Sequence, residues 1–235
     1  YAIRTNPYFS INKDEMSFNR NISVKCCRIG LPLAMQSSLI AISCVALQSV
    51  VNTFGSMVVA AFTATSRIEQ LVQQPFNSLG MALSTFTGQN IGAKRLDRVK
   101  QGYRKTLLMS AISCAFLSAV FMLLRRPLVS LFGVTGESLA MGIDYLVLAA
   151  PCFVLFGIYQ SATGVLQGAG DVMWTMFFSL SSLALRVILS YAFAGFFGYR
   201  ILPYSMGIAW ILVAVGATIR YKSGKWLRHT IVSTD

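Results

Sequence analysis

Histidine, acids and charge in general are scarce in this chain. The one histidine, His229, lies in the terminal segment, so no imidazole is placed to act as base or metal ligand within the apolar body. Eight acids face twenty Lys and Arg, and charged residues make up 12% of the 235, roughly half the ~25% of a soluble domain. No two acids stand at metal-binding or general acid/base spacing. No glycine-rich phosphate loop leads to a lysine, and no serine occupies a Gly-x-Ser-x-Gly turn. Enzymatic chemistry therefore finds little support, and neither a metal nor a cofactor is expected. Cys26, Cys27, Cys44, Cys114 and Cys152 have neither metal-ligand nor disulfide-framework spacing. The last three lie inside apolar runs and read as core, while Cys26-Cys27 reads as interfacial packing, with acylation as the alternative. The sequence opens on Tyr1 without a signal-peptide pattern, and a piece of a longer protein is expected.

What the chain does have is apolar length. It is 55% apolar with a mean hydropathy of +0.61, which places it in a lipid bilayer. The net charge of +12 does not indicate nucleic acid, because the basic residues form separate clusters between apolar runs rather than one face. Six runs reach the ~20 residues needed to cross ~30 Å of hydrocarbon. They fall at about 29–53, 58–86, 106–124, 140–166, 172–197 and 201–219. Residues 1–27 read as a polar linker with a surface helix, 28–221 as a six-helix all-α lobe, and 222–235 as a basic tail. Pro32 is tolerated in an opening turn. Arg125-Arg126-Pro127 is expected to end the third run, with 128–137 as a short re-entry, and Pro151, Gly157 and Gly164 to break the fourth. Fifteen Lys and Arg fall on the side holding both chain ends and three on the other, which sets both ends in the cytoplasm. The sequon at Asn21 then also lies there.

The second run is unusually polar for a membrane span. At 100° per residue, Ser66, Glu69, Gln70, Gln73 and Asn77 fall within about 100° of one another, forming a stripe whose one titratable group is Glu69. Arg67 lies about 160° from Glu69, so the two are not expected to pair within the helix. Pro75 frees the carbonyl of Leu71 and predicts a kink, tolerable beside protein or a wet cavity. Stripe and kink together favour a cavity wall; the alternative is a buried interhelical network, worth ~0.6 kcal/mol per bond. Gln48 and Asn52, one turn apart near the outer end of the first run, and Asp144, early in the fourth, are further cavity candidates. Asp144 also fits an interfacial role. Arg186, midway along the fifth run, calls for an acid or carbonyls inside the bundle.

Thr87-Gly88-Gln89-Asn90-Ile91-Gly92-Ala93 followed by basic residues, and Leu166-Gln167-Gly168-Ala169-Gly170-Asp171 after the fourth run, resemble the multidrug and toxic compound extrusion (MATE) family. Gly30-Leu31-Pro32 and the intramembrane Arg186 are similar to it as well. The resemblance implies twelve spans in two six-helix lobes, of which this chain resembles the C-terminal one, with residues 1–27 resembling the link from a missing N-terminal lobe. It implies a plasma-membrane exporter of small cationic or amphipathic compounds, exchanging them for protons or sodium ions by rocking between two states. Gly88, Gly92, Gly168 and Gly170 would be side-chain-free turns where helix pairs meet and pivot, with Pro75 as a bend. One departure is the absence of any acid over 29–53, where sodium-coupled members carry one. The rival readings are a lipid-linked precursor flippase, which predicts a more cationic cavity, and a scaffold, which needs no cavity.

Overall fold

The computed structural model describes residues 20–229; the linker before Arg20 and the tail after His229 lie outside the described residues. Every element among the described residues is helical. The chain runs α1 (Arg20–Asn52), α2 (Ser56–Gly92), α3 (Leu96–Ser130), α4 (Gly136–Ala149), α5 (Phe153–Gly168), α6 (Val172–Phe197) and α7 (Ile201–Lys222). Short 3-10 segments cover Ala150–Cys152, Gly198–Arg200 and Lys225–His229. The surface helix expected before the first span and the span itself are thus one helix from Arg20.

Proline placement explains most of the interruptions. Pro151 sits in the 3-10 segment that separates α4 from α5, where its missing N–H and fixed φ suit a tight turn. Gly157 and Gly164, expected to break the same run, lie inside a continuous α5. Pro127 does not end the third helix. α3 continues to Ser130, Ser130 returns its hydroxyl to the Pro127 carbonyl at 3.0 Å, and α4 begins at Gly136 after a turn. α2 likewise runs through Pro75 without interruption.

The core gathers where α2, α5 and α7 meet, around fully buried Phe76, Phe153, Ile68, Leu166, Leu202 and Met206. α2 makes its most extensive contact with α5, α7 packs on α6 and α5, and α1 leans mainly on α6. Small residues allow the closest approaches. A Cβ on Gly164 would stand 2.7 Å from the Gly80 carbonyl oxygen, and one on Gly157 would stand 3.2 Å from Phe76.

The outward surface is greasy: Phe196 is 85% and Leu123 81% exposed. Four stretches are long and apolar enough to cross a membrane, namely 34–52, 96–130, 136–168 and 172–222. The last, at 51 residues, exceeds twice the ~20 needed to cross and divides at Gly198 (φ 55°) into α6 and α7. The stretch 56–92 is not among the four, as its glutamines, Arg67 and Glu69 dilute its hydropathy.

Candidate functional site

Gly142 brings α4 against α2 and α3, since a Cβ there would stand 2.9 Å from Val129 and 3.6 Å from Thr65. Less than one turn further along α4, Tyr145 reaches α2. Its ring meets Phe62 edge-on at 6.0 Å, and its hydroxyl donates to Glu69 Oε1 at 2.8 Å. From α6, Arg186 Nη2 donates to the same phenol oxygen at 3.4 Å. Tyr145 Oη therefore relays between a carboxylate and a guanidinium carried by different helices. Glu69 is 5% and Tyr145 3% exposed, and Arg186 Nε is buried without a partner among the described residues. A charge held at such depth is tolerable only when partnered.

This corrects the expected orientation of α2. Glu69 turns into the lobe rather than lining a cavity. Arg67, expected to face away from the cavity wall, is exposed and lines a cavity of about 640 Å³ with Thr63, Ala60, Phe132 and Ser138. The two residues do occupy opposed faces, and the face packed into the lobe is the one that carries Glu69, as the alternative of a buried interhelical network has it. Gln73 is half-buried, and Asn77 accepts a hydrogen bond from Gln160 Nε2 at 2.6 Å. Neither shares a hydrogen bond with Glu69.

The remaining candidates are dispersed. Gln48 donates to Asn52 at 3.0 Å within the last turns of α1. Asp144 joins Arg200 Nε at 2.9 Å and Tyr199 Oη at 3.0 Å, a partly exposed cluster that shares no hydrogen bond with Glu69. Burial, followed by the bond to Asp144, pushes the Tyr199 phenol above its ordinary range.

Of the glycine positions, Gly88 lies inside α2 and Gly92 is its last residue. The turn that follows takes its left-handed residue from Lys94 (φ 58°). Gly168 ends α5 against α2, and Gly170 (φ 86°) makes the turn into α6. The two glycine motifs do meet, a Cβ on Gly88 lying 3.3 Å from the Gly168 carbonyl.

Sequence reasoning missed Tyr145 as a partner, and it missed a second relay in which Ser179 joins Gln36 Nε2 at 2.6 Å to Tyr159 Oη at 2.7 Å. The available signal was that tyrosine inside an apolar run needs a partner for its hydroxyl.

Known proteins agree with this architecture. The probable multidrug resistance protein YoeA of Bacillus subtilis (strain 168) is 29% identical over 168 residues, covering 72% of this chain and 36% of that protein. YpnP of the same organism, also a probable multidrug resistance protein, is 27% identical over 200 residues, covering 85% and 45%. Among solved structures, MATE in the bent conformation superposes with a TM-score of 0.84 at 22% identity, over 95% of this chain and 51% of that one. A MOP superfamily transporter from Pyrococcus furiosus gives 0.85 at 22% identity, over 95% and 53%. The chain thus spans less than half the length of these curated relatives and about half that of the solved structures, and its fold is a partial lobe of a multi-pass membrane protein. A family model described as MatE matches residues 32–192, and the chain belongs to the MatE family.

Proposed function

We propose that this chain forms one lobe of a secondary-active antiporter. It exports small cationic or amphipathic drugs from the cytoplasm across the plasma membrane, in exchange for protons or sodium ions. The chain ends lie on the cytoplasmic side, as the clustering of basic residues implies, and a second lobe completes the substrate path. The observation that carries the reading is the buried Glu69–Tyr145–Arg186 relay, which joins α2, α4 and α6 inside an otherwise apolar bundle.

Such a relay has two arrangements. Ionised, Glu69 accepts from Tyr145 and offsets the charge of Arg186. When a proton or cation neutralises it, Tyr145 and Arg186 lose their acceptor's charge and the three helices lose a shared restraint. A packed bundle responds to such a change by moving between discrete states rather than deforming continuously. Alternating access requires that kind of step.

Glu69→Gln in the full-length transporter, assayed in everted vesicles with a fluorescent cationic drug, tests this. Loss of gradient-driven accumulation is expected. Accumulation at the unmodified rate contradicts the role of Glu69.

A further inference from the structure

The cavity beside Arg67 has a chemistry that the relay does not use. It opens between the first half of α2 and the turn joining α3 to α4. That is some 25 residues from the basic turn at Lys94, so about 40 Å along α2. Its apolar walls include Ala60, Phe132 and Val134, and its polar members include Arg67, Thr135 and Ser138. At about 640 Å³ it falls within the ~300–1,000 Å³ typical of small-molecule sites.

Every uncommitted side-chain donor in this lining suits an anion. Arg67 has no hydrogen bond or ion pair among the described residues and carries a planar fork of N–H groups matched to a carboxylate or phosphate. The hydroxyls of Thr135 and Ser138 likewise have no partner there. Thr63 is different, because it gives its O–H to the Val59 carbonyl at 2.7 Å and is left with acceptor capacity only. No acid lines the cavity; Glu137, the nearest in sequence, is exposed and lies off the lining. α4 starts at Gly136 with no side-chain cap on its first turn, whose one acid, Glu137, is exposed, so the amides beside Thr135 and Ser138 are left without a side-chain acceptor.

We propose that this cavity is a binding site for the oxyanion headgroup, phosphate or carboxylate, of an amphiphile, with Arg67 as its anchor and Phe132 and Val134 against the adjoining apolar part. The site is separate from the Glu69 relay, and the binding measurement below does not depend on transport.

The test uses the purified full-length transporter in detergent and measures equilibrium binding of dodecyl phosphate and of dodecyltrimethylammonium, which share an alkyl chain. The anion is expected to bind at least about tenfold more tightly than the cation. Arg67→Gln, at an exposed position where folding is not at stake, should erase that preference. Arg67→Lys should keep part of it, and Ala60→Trp, which fills the cavity and leaves the charge, should lose it. Competition by inorganic phosphate would assign the site to soluble anions, whereas competition only by phosphatidylglycerol in mixed micelles would assign it to a lipid headgroup; both support the site. Equal affinity for the two amphiphiles, or an undiminished preference in Arg67→Gln, overturns it.

Discussion

A Cβ on Gly168 would collide with the carbonyl oxygen of Ser84, so α5 and α2 touch backbone to backbone at the end of the bundle where the two glycine motifs meet. No rotamer change relieves such a clash, because the obstructing atom is main chain. Gly168→Ala should cost about 1–3 kcal/mol or more in stability, read as a lower unfolding temperature of the full-length protein in detergent. Gly92→Ala is the control. Nothing lies within 4 Å of its Cβ position, and its effect should stay within about 0.5 kcal/mol.

Tyr145→Phe keeps the edge-on contact with Phe62 and removes only the hydroxyl that relays between Glu69 and Arg186. Two buried polar groups lose their shared partner, at a cost of about 1–3 kcal/mol. Thermal unfolding measures the loss. A variant as stable as the parent would mean that the phenol is not the link.

Asp171 and Arg220 form a second buried pair at 2.8 Å, with side chains 3% and 10% exposed. Trp174 lies under the guanidinium at 4.8 Å, and Arg220 Nη2 already lacks a partner among the described residues. Asp171→Asn leaves a buried cation uncompensated and should destabilise by about 3–5 kcal/mol. Adding Arg220→Met should recover much of that in the same unfolding assay, since the pair is replaced by an apolar side chain that avoids the desolvation of a charge.

Asp144 shares α4 with Tyr145 but binds Arg200 and Tyr199, in the turn between α6 and α7. Both partners of the ion pair are solvent-accessible, and exposed pairs contribute little. Asp144→Asn should leave export by the full-length protein unchanged; a large loss of export would return Asp144 to the functional site.

The helices were legible because apolar runs of membrane-spanning length leave little choice of structure, and the opposed faces of Arg67 and Glu69 followed from a fixed 100° per residue. Which of those faces meets protein was not legible. It depends on Gly142 admitting α4 and on a tyrosine 76 positions away, and a helical wheel contains neither. The polar stripe, favoured as a cavity wall over a buried interhelical network, is divided: Glu69 joins Tyr145 and Asn77 joins Gln160 across helices, while Gln70 stays exposed. Proline at 127 misled for a related reason. Its missing N–H costs one helical bond, the one to the Leu123 carbonyl, and α3 continues past it for only three residues, to Ser130.

The proposed role of Glu69 is to couple ion movement to drug movement from inside the lobe. It is tested most directly by recording drug flux and proton or sodium flux together, in proteoliposomes of the full-length transporter with and without Glu69→Gln. Coupled, uphill drug export is expected in the parent. In the variant, drug should move only down its own gradient with no accompanying ion flux. Coupled export by Glu69→Gln at the parental rate and stoichiometry would contradict it.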